Sequence, residues 1–409
     1  MSIELLDRPH VEMADEERPK ATIFAGGSGG AATGAGFVEQ FDGYDVTIVS
    51  GIADGGGSTK EVREVFGGGA PGDLRNIIAS VSGNDAGRYL NERYKYNAQL
   101  DDFRRTGNLF IDTLAARNEE LKLFGQYDKM HDLERVDATV EFTNFLAEYM
   151  LEETGRKNLD GHTWGNFLLT ALRLEEEGDM AEAAKIANSW METTANVIPS
   201  TNVTHDLLMD DGGHVIVGEG DIDEYAPKDA MNAELALEAE DPHAEVTIHP
   251  EAESAVREAD VLIVAPGSLF TSHLAILNVE GMSRAIVEQQ KRGYMVVMGN
   301  LAVEAMLPDM TVGGHAKRLH EVMNRKIDLL IYNEDTESLP ASALPARIEQ
   351  DSLQGEHIAR AIGTALVSLK VVKHDASDAV AAKGLRTSVR HDVNAAAEVM
   401  RRELLASAV

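Results

Sequence analysis

Short apolar runs that end in glycine clusters recur along the chain. Residues 22–25 (TIFA) break into the glycine-rich stretch 26–30, and residues 46–50 (VTIVS) lead to three glycines at 55–57. A short apolar run bounded by turn residues is typical of a buried strand, and the alanine-rich segment between the two runs has a helical composition. The order of strand, glycine-rich loop, helix, strand and glycine-rich loop predicts a parallel unit with both loops at the carboxyl edge of a sheet.

A second unit of the same kind follows later in the chain. Residues 262–265 (LIVA) form an apolar run that breaks at 266–268 (PGS), and a helical stretch at 281–291 leads to the next run at 294–298. One further strand is predicted over 327–332. Two such units predict an α/β fold with a Rossmann-like, doubly wound, mostly parallel sheet and a crevice between its loops.

Charged segments with apolar residues at helical spacing separate the two units. They predict three or four helices between residues 85 and 151, within a helical insertion at about 81–155. We expect this insertion to pack beside the sheet, and a lid over a ligand is the alternative. Residues 205–209 and 214–217 flank a turn signal and predict a hairpin.

The end of the chain predicts two more helices, at 355–371 and 389–405. We therefore expect three parts, namely a disordered tail over residues 1–20, a Rossmann-like domain over 21–336 and a helical C-terminal extension over 337–409. The alternative for this last segment is an oligomer contact, which would allow a homodimer.

The composition excludes several classes of protein. The chain has 409 residues, a net charge of −32 and no cysteine. The acidic excess argues against nucleic acid and membranes as partners, and no apolar run approaches the roughly 18 residues of a membrane span. Without cysteine there are no disulfides, thiolate metal sites or cysteine nucleophiles. Because the N-terminus lacks the apolar centre of a secretory signal, we expect a cytoplasmic protein.

The first glycine-rich loop has the chemistry of an anion site. Glycines let a ligand approach the backbone closely, and the unpaired N–H groups and dipole at the start of the following helix favour phosphate. The candidate phosphate-binding residues are Gly26, Gly27, Ser28, Gly29 and Gly30. The spacing G-x-G-x-x-A alone is a weak signal, because a packing turn or a nicotinamide enzyme can share it.

Polar residues after the predicted strands supply further candidates. Asp54 follows the second strand, where side chains border ligand crevices. Asp73 and Arg75 stand at the start of a predicted helix, and a ligand contact and a structural ion pair are the two alternatives. His162 and Asn166 lie near another helix start. His162 is either a ligand contact or general acid, or a histidine bonded to nearby backbone.

Six motifs in a fixed order carry a resemblance to a known family. They are GGSGG at 26–30, ADGGGS at 53–58, PGDLRN at 71–76, GHTWGN at 161–166, VIPST at 197–201 and APGSLFTS at 265–272. This set resembles the CofD/YvcK-like family, which includes 2-phospho-L-lactate transferases and gluconeogenesis factors. The resemblance covers about 21–333 apart from the helical insertion. The insertion and the C-terminal extension suggest a divergent CofD-like subgroup of the GAK-system type.

The resemblance implies a Rossmann-like core that binds a nucleoside diphosphate-linked ligand of the GDP or UDP type. It implies that Asp54 faces the ligand or a magnesium ion, and that an acceptor hydroxyl needs a base, for which Asp73 and His162 are the candidates. Outside the first loop, the implied ligand-binding residues are Ser58, Arg75, Asn76, Asn166, Gly267, Ser268 and Thr271. A serine nucleophile at Ser268 is not favoured, because G-x-S-x-G is absent.

The two branches of the family imply two functions. In the transferase branch, phospholactate passes from a guanosine diphosphate-linked lactate to a deazaflavin alcohol with magnesium present. Members of the other branch bind UDP-sugars and act in carbon metabolism and cell-wall control. We expect a transferase of a phosphate-linked group, and the alternative is a non-catalytic UDP-sugar-binding regulator. Members of the family usually have two adjacent acids after the second strand. This sequence has only Asp54 there, followed by Gly55.

Overall fold

The computed structural model describes residues 18–301, 304, 307, 310–333, 365–369, 372–374, 389–400 and 402. The predicted disordered tail lies outside the described residues, except for 18–20. The described strands are β1 (Lys20–Phe24), β2 (Asp45–Ser50), β3 (Asn196–Pro199), β4 (His205–Asp210), β5 (Val215–Val217), β6 (Glu234–Ala239), β7 (Val261–Val264), β8 (Tyr294–Met298), β9 (Leu329–Asn333), β10 (Ala365–Leu369), β11 (Val372–His374) and β12 (Val389–His391).

Seven of these strands form one parallel sheet in the order β10-β9-β8-β7-β1-β2-β3. The chain starts in the middle, at β1, and builds outward through β2 and β3. It then returns to the other side of β1 and builds outward again from β7. This reversal confirms the predicted doubly wound α/β fold, and it places the topological switch point between β1 and β7.

Helices cover both faces of the sheet. They are α1 (Gly27–Gln40), α2 (Gly57–Phe66), α3 (Gly72–Ser80), α4 (Gly87–Leu90), α5 (Leu100–Leu123), α6 (Leu133–Thr154), α7 (Trp164–Glu175), α8 (Met180–Trp190), α9 (Glu219–Glu224), α10 (Pro250–Glu258), α11 (Ala275–Leu277), α12 (Met282–Gln289), α13 (Val312–Met323) and α14 (Val393–Met400). A 3₁₀ turn spans Tyr127–Lys129, and a π-helical turn spans Leu269–Leu274. None of the described helices is long and apolar enough to cross a membrane.

Successive residues of a strand enter the cores on opposite faces, because side chains alternate across a sheet. In β1, Ile23 belongs to the core that contains Trp164, whereas Phe24 belongs to the core that contains Met282. Burial on both faces explains why the central strands read as continuous apolar runs rather than alternating ones.

The helices of the insertion pack against one another and against α7. Helices α5 and α6 lie against each other, and α6 also contacts α7. Phe110 of α5 is buried, with its ring centroid 5.0 Å from that of Trp164 and 6.2 Å from that of Trp190. The aromatic contacts therefore join the insertion to the same core as the sheet.

We expect Phe110→Ala to lower the free energy of unfolding by about 3–5 kcal/mol, because it removes a fully buried ring and leaves a cavity. Denaturant titration measures this loss. Leu123→Ala is the control on the same helix, since Leu123 is 84% exposed, and we expect a change within about 0.5 kcal/mol. Equal losses for the two variants would contradict the burial of the Phe110 ring in the core.

A small antiparallel sheet, ordered β5-β4-β6, lies beside the main one, and its β4–β5 pair confirms the predicted hairpin. The C-terminal prediction needs correction. Within the predicted helix at 355–371, residues 365–369 form strand β10, which pairs in parallel with β9. A short apolar run suits a strand and a helix equally, and pairing with the sheet edge decides between them. The second predicted helix is present at α14, after strand β12.

Candidate functional site

The loops that follow β1 and β7 are in direct contact at the switch point. A Cβ atom built on Gly26, in the first loop, would lie 3.1 Å from Ser272 Cβ, in the second loop. An alanine at this position would need Ser272 to shift, so glycine allows the loops to approach closely. The glycine-rich stretch 26–30 and the 266–272 segment form two walls of one crevice at the carboxyl ends of the strands, where ligands bind in open α/β sheets.

The first wall begins helix α1. Gly26 is the N-cap, and Gly27 has a φ of +65°, a conformation that favours glycine. Ser28, Gly29 and Gly30 continue into the first helical turn. The Gly27 N–H donates a 2.8 Å hydrogen bond to Asp73 Oδ2. A carboxylate of the protein thus occupies a donor that a phosphate would use.

The second wall is the π-helical turn. Ser268 is its N-cap, with Oγ accepting the Thr271 N–H at 3.4 Å, and Thr271 Oγ1 donates to Asp223 Oδ1 at 2.7 Å. The Leu269 N–H donates to Glu304 Oε1 at 3.0 Å. π-Helical turns are rare and occur often at functional sites. At this wall, two hydroxyls, from Ser268 and Thr271, and two carboxylates, from Asp223 and Glu304, lie at the rim of the crevice.

Asp54 follows β2 and acts electrostatically on Asp73 and Asp223, which bond to the first and the second wall. Its Oδ1 accepts the Gly56 N–H at 2.9 Å and its Oδ2 accepts the Thr59 hydroxyl at 2.9 Å. Glu219, on α9, accepts the neighbouring Gly55 N–H at 2.6 Å. A Cβ built on Gly55 would lie 3.5 Å from Glu219 Cβ. The space beside Asp54 that a side chain at position 55 would enter therefore holds a carboxylate from elsewhere in the chain.

Burial and the charge of Asp54 raise the pKa values of the neighbouring acids. Burial and then Asp54 raise the pKa of Glu219 to about 9. Asp73 keeps some contact with solvent but is closely surrounded by protein, and burial and then Asp54 raise its pKa to about 7. Burial and Asp54 also raise the pKa of Asp223, and burial raises the pKa of Glu304 to about 7. The crevice thus contains more acidic side chains than positively charged groups to neutralise them.

The pKa of Asp73 gives a pH dependence with a definite sign. A carboxyl whose pKa is higher in the folded than in the unfolded chain destabilises the fold as pH rises from about 4 to about 7. Asp73→Asn should therefore unfold less readily than the wild type at pH 8, by roughly 2 kcal/mol after allowance for solvent screening. The two should converge near pH 4.5. Denaturation at both pH values measures the difference, and an Asp73→Asn protein less stable at pH 8 would contradict the raised pKa.

Arg75 is the predicted cation of the site. Its Nε donates to Asn166 Oδ1 at 3.1 Å, and its Nη1 donates to Asn91 Oδ1. Burial, and then Arg93, lower its pKa to about 10, while Asp54 and Asp73 act in the opposite direction. Arg75 and Asp73 bond to other partners rather than to each other, so the structural ion pair weighed from the sequence is not formed. Asn76 lies half-buried beside them on α3.

His162, Ser58 and Asn166 lie together behind the crevice wall. His162 is 1% exposed, and its Nδ1 is 3.2 Å from Ser58 Oγ. Asn166 Nδ2 donates to Ser58 Oγ at 3.1 Å. The Thr163 hydroxyl makes no capping bond to α7, contrary to the expectation for an N-cap threonine. The roles of the candidate residues stay predictions.

Sequence reasoning missed several members of this site. Glu219 and Asp223 lie in EGDIDE, which reads as an ordinary solvated helix, and Thr59 follows Ser58 without any motif of its own. Asn300, whose Oδ1 accepts the Gly267 N–H at 3.0 Å, lies just after a predicted strand and belongs to none of the motifs. No local signal marks these residues, because tertiary folding brings them to the crevice from distant parts of the chain.

The carboxylates around Asp54 are the candidate ligands for a magnesium ion. Among the described residues, no group of three or more histidines and acids is arranged to hold a metal ion. Magnesium, however, commonly uses only one or two carboxylates and completes its shell with water and ligand phosphate. Asp54, with Glu219 adjacent to it and no lysine or arginine bonded to either among the described contacts, fits that pattern.

The fold defines a doubly wound α/β protein with a crevice at its switch point. Comparison with known proteins gives the family. The chain belongs to the family described as 2-phospho-L-lactate transferase CofD, whose family model matches residues 21–400.

Several relatives of this chain are named gluconeogenesis factors, which is the other branch of the family. The chain is 28% identical over 247 residues to a putative gluconeogenesis factor of Aquifex aeolicus, a match that covers 60% of this chain and only 56% of that protein. It is 25% identical over 324 residues to the gluconeogenesis factor of Bacillus subtilis, covering 78% of this chain and 80% of that one. The Listeria innocua gluconeogenesis factor is 25% identical over 350 residues, covering 84% and 85%.

Solved structures agree with the fold. Two crystal structures of one Bacillus halodurans protein, described as a member of the UPF0052 family, each superpose with a TM-score of 0.67. They are 19% and 20% identical to this chain, cover 94% and 93% of it, and are themselves covered to 99%. At this identity the likeness concerns the fold alone.

Proposed function

We propose that the crevice binds a nucleoside diphosphate-linked ligand, of the GDP or UDP type, and that the protein transfers a phosphate-linked group from it to an acceptor hydroxyl. One observation carries the proposal. The two loops touch at the switch point, with Asp54 at their rim. The family membership supports the same class of reaction.

The chain's own groups suit the binding step. The free N–H groups at the start of α1 favour the diphosphate, and Arg75 lies within electrostatic reach of both Asp54 and Asp73. The diphosphate would replace Asp73 as the partner of the Gly27 N–H. Bound magnesium, held by Asp54 and Glu219, would neutralise phosphate charge. Glu219 thus stands in for the second acid that the sequence lacks at Gly55.

In the transfer step, one bond forms and one bond breaks at phosphorus. The acceptor oxygen forms a bond to the distal phosphorus of the diphosphate, which is transferred together with the group attached to it, and the bond from that phosphorus to the bridging oxygen breaks. A nucleoside monophosphate leaves. The acceptor proton passes to Asp73, whose pKa of about 7 suits a general base at neutral pH. His162 is not used as the base, because its ring is enclosed behind the wall.

The test is incubation with GDP- and UDP-linked donors, hydroxyl acceptors and magnesium, followed by chromatography of the nucleotides. We expect a nucleoside monophosphate to be released only when donor, acceptor and magnesium are all present. Calorimetry with the same donors measures binding separately. Absence of both binding and release with every donor would reject the proposal.

A second candidate is a non-catalytic UDP-sugar-binding regulator of carbon metabolism or cell-wall synthesis. It is favoured by the relatives named gluconeogenesis factors. Tight binding of a UDP-sugar without release of nucleotide would select it over the transferase.

A further inference from the structure

A chain of hydrogen bonds runs from the buried His162 to Asp54 at the crevice. His162 Nδ1 is 3.2 Å from Ser58 Oγ, and Ser58 Oγ accepts from Asn166 Nδ2 at 3.1 Å. Asn166 Nδ2 also donates to Thr59 Oγ1 at 3.3 Å, and Thr59 Oγ1 donates to Asp54 Oδ2 at 2.9 Å. Every link lies within hydrogen-bond reach.

The direction of each bond at Ser58 is fixed by counting donors and acceptors. A hydroxyl offers one hydrogen and two lone pairs. The Thr163 N–H, at 3.3 Å, and the Asn166 amide both donate to Ser58 Oγ and use its two lone pairs. The Ser58 hydrogen therefore points to His162 Nδ1, which must be the nitrogen without a proton.

The same count fixes Asn166. Arginine only donates, so the amide atom that faces Arg75 Nε at 3.1 Å is the oxygen. The amide nitrogen then faces Ser58 and Thr59 and spends both of its hydrogens there. Asn166 is the branch point that joins the carboxylate of Asp54, through Thr59, to the guanidinium of Arg75.

The far side of His162 meets a carboxylate. Within the described part of the chain its Nε2 has no well-aligned hydrogen-bond partner, and Glu61 Oε2 lies 3.3 Å from it. Arg156, just after α6, holds both oxygens of Glu61 at 2.6 and 2.8 Å. Both Glu61 oxygens accept from Arg156, so this carboxylate faces the ring as an acceptor, and Nε2 carries the ring proton. The end of the helical insertion thereby fixes the carboxylate that faces the ring.

We propose that His162 is a positioning residue, which as a neutral imidazole sets the direction of the hydrogen bonds that hold Asp54 and Arg75 at the crevice. A proton on Nδ1 would meet an oxygen whose lone pairs are both used, and it would break the chain at Ser58. The proposal rests on the proposed function, because positioning matters only if Asp54 and Arg75 bind the ligand.

The electrostatic surroundings agree with a neutral ring. Burial lowers the pKa of His162, and Arg156 and Arg93 lower it further, whereas Glu61 acts in the opposite direction. Phe167 packs against the ring edge, with centroids 5.7 Å apart. The charged groups that act on the ring are thus one acid and two arginines.

The first experiment reads the ring directly and needs no ligand. Nitrogen NMR of protein labelled with ¹⁵N-histidine, with the His162 signal assigned from His162→Gln, should show Nδ1 unprotonated and Nε2 protonated at both pH 6 and pH 8. A proton on Nδ1, or titration of the ring near its ordinary value of about 6.5, would overturn the assignment.

The second experiment reads the consequence at the crevice. Glutamine offers one acceptor and one donor, as the neutral imidazole does, whereas leucine offers neither. We expect His162→Leu to weaken magnesium-dependent nucleotide binding by about 10-fold or more, the usual effect of losing a supporting hydrogen bond. His162→Gln should keep most of the affinity and the wild-type pH profile. A loss as large in His162→Gln as in His162→Leu would reject the hydrogen-bond role.

His131→Leu is the matched control. His131 is also buried, and its Nε2 also lies 3.3 Å from a glutamate, Glu192, but its described partners belong to the insertion and to the end of α8. It should lose stability while keeping nucleotide affinity, and an equal loss of affinity in both leucine variants would mean that His162 acts only through general stability. If the wild type binds no nucleotide, the proposed function fails, and the NMR result still decides the state of the ring.

Discussion

Gly72→Ala is expected to abolish magnesium-dependent nucleotide binding, with a loss of at least about 100-fold. Gly72 is the first residue of α3, and a Cβ built on it would collide with Asp54 Oδ2 and Thr59 Oγ1. The new methyl group must displace the carboxylate that the crevice presents. Because alanine favours helices over glycine by about 1 kcal/mol, the fold should tolerate the change better than the site does. Calorimetry and a thermal melt measure the two effects separately.

Gly34→Ala is the matched control for this variant. Gly34 also lies in a helix, α1, and a Cβ there would make an ordinary contact of 3.5 Å with Ile48 Cδ1. We expect unchanged nucleotide binding. Wild-type affinity in Gly72→Ala would mean that the ligand does not depend on the position of Asp54.

Asp54→Asn is expected to change function and stability in opposite directions. It removes the carboxylate proposed to hold magnesium, so nucleotide release should fall by at least about 100-fold. The same substitution removes the charge that raises the pKa values of Asp73, Glu219 and Asp223. The relief of repulsion should leave the variant at least as stable as the wild type at pH 8. Turnover assays and denaturant titration test both halves.

Asp221→Asn controls for the change in net charge, since Asp221 is exposed on the same helix as Glu219. It should leave turnover unchanged. Full turnover in Asp54→Asn would remove the magnesium site from the proposal, whereas a large loss of stability would mean that the Thr59 and Gly56 bonds to Asp54 outweigh the repulsion among the acids.

Much of the site was visible in the sequence because its parts are local. A glycine that must adopt positive φ before a helix, as Gly27 does, marks a loop whose geometry depends on near neighbours alone. Asp54 was identified because residues after a buried strand lie at the carboxyl edge. Glu219 and Glu304 could not be identified in this way, because nothing near them in the chain indicates which edge they will reach.

The same division applies to His162. Its motif left a functional histidine and a histidine bonded to nearby backbone as alternatives, because its burial and the direction of its hydrogen bonds depend on Glu61, Ser58 and Asn166, which come from two separate helices. The strand at 365–369 is a parallel case, because its pairing with β9 overrode a helical composition.

The sequence by itself determined the parallel α/β class, the two glycine-rich loops and the order of the motifs, since apolar periodicity and glycine conformations act over a few residues. Only the tertiary structure decided that the two loops touch, that Glu219 fills the space beside Gly55, and that His162 lies behind the crevice wall. Those outcomes depend on contacts between residues more than a hundred positions apart. Such contacts leave no pattern in a single chain, because their strength comes from burial and charge at the place where the fold brings them together.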